Sequence, residues 1–230
     1  MIFEDPRYRN RIHVFRDRTE AGRRLAEMLR PAYEKGPPGW ILAIPAGGVP
    51  VAVEVARALK WPLDLLLVKK LPLPWNPEAG FGALTIEGDL LVNREAMRYF
   101  RLTEEDLAWA RERAREELQK RNRLLRGGRP YPDLSGKTVL LVDDGLASGF
   151  TMLAGVQMVR RKGVSKVIVA VPTASERSLE LLEPQVDEIY CPNVRSGPYF
   201  AVADAYQNWY DLDYEEVLDF LKSLEKSSTP

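Results

Sequence analysis

Residues 139–151, VLLVDDGLASGFT, constrain the fold of this chain more than any other stretch. Val139, Leu140, Leu141 and Val142 form an unbroken apolar run, which suits a strand buried on both faces of a parallel sheet. Asp143 and Asp144 end it with adjacent carboxylates. Gly145, Leu146, Ala147, Ser148 and Gly149 make a small-residue loop, and Phe150 and Thr151 open a helix expected to reach Lys162. This order leaves backbone N–H groups at a helix N-terminus, where the dipole favours an anion. Small residues admit a phosphate close to the backbone, and Ser148 and Thr151 add hydroxyl donors.

The carboxylates repel a phosphate and need a partner of their own. A ribose 5-phosphate supplies one: its 2- and 3-hydroxyls donate to the carboxylates while the loop takes the phosphate. A Mg2+ held by sugar hydroxyls and a diphosphate suits the same acidic corner.

The segment resembles the PRPP-binding motif of the type I phosphoribosyltransferases. That motif has four apolar residues, two acidic residues, small residues, Thr or Ser, Gly, any residue and Thr. Every position is filled, with Ser148 at the Thr or Ser position. The resemblance implies an α/β fold, a type I phosphoribosyltransferase-like parallel sheet flanked by helices, with a helical insert and a small C-terminal hood. It implies a single domain over residues 1–230, with the core at about 40–190, the insert at about 93–126 and the hood at about 191–212. The implied reaction moves ribose 5-phosphate from PRPP–Mg2+ to a nitrogenous base, purine or pyrimidine, and releases diphosphate.

In that implied chemistry Asp143 and Asp144 hold the ribose hydroxyls and, through them or through water, Mg2+. Gly145, Leu146, Ala147, Ser148, Gly149 and Thr151 hold the 5-phosphate. Ala46, Gly47 and Gly48, after the first core strand, form the diphosphate loop, with a non-proline cis peptide expected near Ala46–Gly47. In the family a basic residue often stands at the position of Ala46. Lys69 and Lys70 neutralise the leaving diphosphate, one of them pointing away because strand residues alternate faces. Residues 71–83 correspond in position to the loop that closes over PRPP, and offer Trp75, Asn76 and Glu78 rather than a basic residue. A non-catalytic regulator that senses PRPP or a nucleotide on the same fold is the alternative.

Further along, strands are expected at 40–44, 64–69, 167–171 and 186–190, and helices from about 17 to 34 and at 49–59, 175–182 and 213–224. The alternation argues for a parallel sheet with ligands at its carboxyl ends. Residues 71–83, with three prolines and two glycines, read as irregular. Residues 85–86 and 90–92 fit a hairpin. Thr103 and Asp106 open a charged helix to about 125 in a capping-box pattern, and its alternating Arg and Glu read as a solvated face. Phe200, Tyr206, Trp209 and Tyr210 either stack on a base or pack a C-terminal flap. Ser135-Gly136-Lys137-Thr138 is no ATP loop, because Tyr131 stands where such a loop needs glycine.

Lys+Arg and Asp+Glu balance at 33 each, which argues against nucleic acid as the main partner. The partners expected are PRPP and a base, with room for a homodimer and no membrane. The lone Cys191 excludes an intrachain disulfide, and with an N-terminus lacking a leader-like apolar stretch it fits a cytoplasmic protein. One histidine, His13, far in sequence from Cys191, makes neither a zinc site nor a Cys–His pair. Abundant Arg and 17 prolines are compatible with a thermophilic source.

Overall fold

A computed structural model describes residues 1–226, apart from the side chains of Pro77 and Glu78. Along the chain lie β1 (Ile2–Phe3), α1 (Arg18–Tyr33), β2 (Trp40–Ala43), α2 (Gly48–Leu59), β3 (Leu63–Leu65), β4 (Val68–Leu73), β5 (Asn76–Thr85) and β6 (Leu90–Val92). They are followed by α3 (Arg94–Tyr99), α4 (Glu104–Arg126), β7 (Thr138–Val142), α5 (Phe150–Arg161), β8 (Lys166–Ala170) and β9 (Thr173–Ser175). The chain then forms α6 (Glu176–Leu182), β10 (Glu188–Tyr190), β11 (Asn193–Arg195), a 3-10 turn (Val202–Ala205) and α7 (Tyr214–Lys226).

The apolar run forms β7, inside a parallel sheet of order β1-β10-β8-β7-β2-β3. Leu140 and Val142 face a core shared with α1, α2, α4 and α7, while Val139 and Leu141 face a second core with α5 and α6. Burial on both faces is why the run does not alternate with polar residues. The chain moves from β2 outward to β3, then returns to β7 and builds β8 and β10 in the other direction. Strand order therefore reverses between β2 and β7, and ligands bind at such a switch point. The loops after β2 and β7 meet there.

Two expectations change. The strand expected at 64–69 is broken: Leu66 N–H donates to Ala43 O (2.7 Å) and Leu67 N–H to Tyr131 Oη (3.1 Å), after which the chain leaves the main sheet. Residues 71–83 are not a loop but most of a β-hairpin. β4, β5 and β6 form an antiparallel three-stranded sheet in which Lys70 pairs with Ala83 and Leu71 with Gly82. Pro72 sits at a register shift, where a residue without an N–H is tolerated. A Cβ on Gly82 would strike Leu91 O, and one on Gly80 the Lys70 stem, so these glycines mark close approach. Prolines and glycines here label an irregular hairpin that resembles a loop in sequence.

The charged helix α4 has its expected capping box: Thr103 Oγ1 accepts the Asp106 N–H (3.1 Å) and Asp106 Oδ2 accepts the Thr103 N–H (2.8 Å). Leu107, Ala110, Ala114, Leu118 and Leu125 bury one stripe, and pairs such as Glu112–Arg115 and Glu117–Arg121 lace the rest. No helix among the described residues is long and apolar enough to cross a membrane.

The end of α4 is tied to the main sheet by a buried ion pair. Arg126 donates to both Asp64 carboxylate oxygens (2.8 and 2.9 Å) and lies over the Tyr131 ring. Burial alone would raise the Asp64 carboxyl, but the Arg126 hydrogen bond, the Leu65 N–H and the Arg126 charge outweigh it and hold it below its ordinary 3.8. The pair therefore stabilises the fold above the ordinary carboxyl range, and that contribution is lost as pH falls through the lowered value. Replacing Arg126 by Ala leaves the buried Asp64 with only the longer contact from Arg129 Nη2 (3.4 Å) as a charged partner. Urea denaturation at neutral pH should show a loss of about 3–5 kcal/mol, and a loss near zero would contradict this role.

Candidate active site

Asp143 and Asp144 leave β7 together but face different partners. Asp143 Oδ1 accepts the Asp144 N–H (2.8 Å), and the Asp143 side chain lines a cleft of about 370 Å3. The other walls are Lys70, Ala79, Gly80, Gly82, Val202 and residues 145–152. Burial, then the adjacent Asp144 charge, push the Asp143 carboxyl well above its ordinary range. Asp144 is not among the cleft-lining residues. Its Oδ2 accepts from Arg18 Nε (2.8 Å), and only 8% of the Arg18 side chain and 13% of the Asp144 side chain are exposed. Burial raises the Asp144 carboxyl and the Arg18 charge opposes the rise.

The loop that follows is pinned from beneath. Leu146 N–H donates to Thr173 O, Ser175 N–H to Leu146 O (3.0 Å each), and Ser175 Oγ to Ala147 O (2.9 Å). Leu146, expected to hold phosphate, is thus buried with its amide already used. Gly149 turns at φ 76°, a left-handed angle that suits glycine. Ala147 and Ser148 remain exposed, and Thr151 lies in the first turn of α5 beside the cleft. The first N–H groups of a helix have no intrahelical partner; Phe150 N–H lies 3.5 Å from Ser148 Oγ, and residues 147–151 line the cleft.

The loop after β2 is placed beneath the acid pair. A Cβ on Gly47 would overlap Asp144 Oδ2, and one on Gly48 would crowd Val142 O and Asp143 Cα. The glycines therefore admit the two acids as well as any anion. Gly48 N–H turns inward to Ile44 O (3.0 Å) rather than outward. The cis peptide lies between Pro45 and Ala46, one bond before the expected place. Lys70 reaches the cleft, and Lys69 lies on the other face of β4, half-buried. Burial and then Arg121 lower the Lys69 pKa, while Glu117 on α4 raises it. Glu78 lies outside the described side chains, and Trp75 is 61% exposed at the hairpin tip.

The hood aromatics pack rather than line the cleft. Tyr206 is buried and its hydroxyl donates to Asp144 O (2.6 Å), Trp209 stacks on the Arg18 guanidinium (3.9 Å), and Phe200 lies against Arg195. Val202 is the hood residue at the cleft. The N-terminal arm belongs to the same layer: His13 N–H donates to Asp204 O, Phe15 N–H to Ala205 O and Gln207 N–H to Phe15 O. His13, with its Nδ1 at Tyr206 O (2.9 Å), is structural. Arg18 was not among the residues singled out from sequence. A signal existed: it follows the Asp17 cap in the first turn of α1, where a cation opposes the helix dipole and needs another reason to be present.

The family model for the phosphoribosyl transferase domain matches residues 15–193. The chain belongs to that family. A Mycobacterium tuberculosis protein provisionally named a phosphoribosyl transferase is 37% identical over 210 residues, covering 91% of this chain and 47% of its own length. The chain therefore spans about half the length of the curated relatives it matches. A ribose-phosphate pyrophosphokinase of Pyrococcus furiosus is 37% identical over 68 residues, 29% of this chain and 24% of that protein. Among solved structures, the protein TT1426 of Thermus thermophilus is 38% identical, with a TM-score of 0.73 over 91% of this chain and 98% of that one. The mainly parallel sheet flanked by helices is thus the family's fold.

Two outcomes follow from this geometry. A Gly47→Ala substitution forces the loop off Asp144 and should lower the melting temperature by several degrees, about 1–3 kcal/mol, whereas Gly36→Ala, with open space around it, should not. Burial and the Asp144 charge make ionising Asp143 costlier in the native state than in the unfolded chain, so stability falls as pH rises from the ordinary carboxyl value towards the raised one. Asp143→Asn removes that penalty and keeps the acceptor for the Asp144 N–H. Calorimetry at neutral pH should show a melting point about 2–4 °C higher; an unchanged or lower value would remove the like-charge argument.

Proposed function

We propose that this phosphoribosyl transferase family member moves ribose 5-phosphate from PRPP to a nitrogenous base, purine or pyrimidine, with release of diphosphate. The observation that carries the reading is that one carboxylate, Asp143, lines a single cleft together with the small-residue turn at 147–151 and Lys70. The amides and hydroxyls of the turn fix the 5-phosphate, and Asp143 accepts from a ribose hydroxyl. That fixes C1 between the acceptor nitrogen and the leaving diphosphate. As the bond from C1 to the diphosphate oxygen breaks and the bond to nitrogen forms, the ribose ring carries positive charge, which the carboxylate stabilises. Lys70 meets charge developing on the diphosphate, and the Gly47–Gly48 turn sits beneath the same edge.

The donor set fits Mg2+ bound with its substrate. That ion takes one or two carboxylates beside phosphate oxygens and waters, and Asp143 is the cleft-facing carboxylate. Among the described residues no group of three or more His, Cys, Asp or Glu would hold a metal. When bound, the ion supplies charge neutralisation for the diphosphate.

A second reading, a PRPP- or nucleotide-sensing regulator, is favoured by two features: Ala46 brings no charge to the diphosphate loop, and Gly48 N–H is turned inward. Diphosphate release from PRPP–Mg2+ with a panel of purine and pyrimidine bases separates the readings. The expected result is turnover with at least one base, reduced about 100–1,000-fold by Asp143→Asn. Tight PRPP binding without turnover on any base would establish the regulator instead.

A further inference from the structure

Arg18 is the least expected charged group near the site. It sits at the first position of α1, is buried, and satisfies four partners at once. Its Nε donates to Asp144 Oδ2 and its Nη1 to Tyr210 O (2.8 Å each), and its guanidinium lies 3.9 Å from the centre of the Trp209 ring and 6.0 Å from that of Tyr206. Tyr206 closes the circle by donating to the Asp144 carbonyl. On the opposite side, Gly47 Cα abuts the same Asp144 oxygen so closely that no Cβ fits between them. The Asp144 carboxylate is therefore gripped between the diphosphate-side turn and a cation lying outside the cleft.

The charge balance gives this grip a purpose. Two ionised carboxylates at adjacent positions oppose a substrate that itself carries several negative charges. A guanidinium bound to Asp143 itself would relieve the repulsion but would occupy the carboxylate that the ribose needs. Placed behind Asp144, it cancels one charge and leaves Asp143 to the ribose. Arginine suits the position because it stays charged when buried, has planar donors for two oxygens and stacks on an indole.

We propose that Arg18 is a positioning residue of the ribose-phosphate site: it holds the Asp144 carboxylate back from the cleft, cancels its charge, and joins the N-terminal arm and the hood to the acid pair. The inference rests on the ribose-phosphate reading given above. It divides the acid pair into one residue that meets the sugar and one that is spent on Arg18.

Binding of PRPP in the presence of Mg2+, measured by titration calorimetry on the wild type, Arg18→Gln, Asp144→Asn and the Arg18→Gln/Asp144→Asn pair, tests it. Arg18→Gln should weaken binding at least tenfold, and Arg18→Lys, which keeps the charge, should recover part of the loss. The double variant, with both charges gone, should return to within about threefold of the wild type, a recovery that simple loss of hood packing does not give. Trp209 fluorescence should shift in every variant lacking the guanidinium. If the wild type binds PRPP and Arg18→Gln binds it equally well, the inference is overturned and the proposed function stands. If the wild type binds neither PRPP nor ribose 5-phosphate, both fall. Should Arg18→Gln fail to fold, the charge-neutral pair Arg18→Met/Asp144→Asn takes its place: binding within threefold supports the inference, and loss of binding overturns it.

Discussion

The structure turns on two like charges placed side by side at the end of a buried strand. Asp143 and Asp144 cannot both stay ionised there without compensation, and much of the surrounding architecture supplies it. Arg18 reaches in from α1, Tyr206 caps the Asp144 carbonyl, and Gly47 and Gly48 leave the space the acids occupy. Burial of an unpaired charge is costly, whereas a paired and hydrogen-bonded one is tolerated. The compensation is uneven, which leaves Asp143 with its raised proton affinity towards the cleft.

That unevenness links stability to function. A site that keeps a strained carboxylate for a ligand gives up folding free energy that a neutral residue would recover. The energy is made up elsewhere: in the two cores on either face of the sheet, and in the buried Asp64–Arg126 pair that fastens α4 to β3. The hairpin of β4, β5 and β6 carries Lys70 to the cleft on one face and packs Lys69 towards α4 on the other, so strand alternation divides two adjacent lysines into two different tasks.

Much of the fold was legible because its signals are local. The four apolar residues of β7, the capping box at Thr103, the small residues before α5 and the closing α7 each carry their own periodicity or cap. The family resemblance was legible for the same reason, since the motif at 139–151 is contiguous. The hairpin was not legible: its prolines and glycines are loop signals in isolation, and only the partner strand shows that they mark a bulge and close approach. Tyr206 and Trp209 were visible as aromatic residues, but whether they would meet a base or an arginine depended on where α1 lies.

The sequence by itself determined that residues 139–151 would make a strand, an acidic end and a small-residue turn into a helix, because each step follows from residues adjacent in the chain. Tertiary structure alone decided which acid faces the cleft. Arg18 lies 126 positions from Asp144, and the distinction between the two carboxylates arises only when α1 and the hood close over one of them. No local rule separates two neighbouring aspartates. The charge placed behind one of them does.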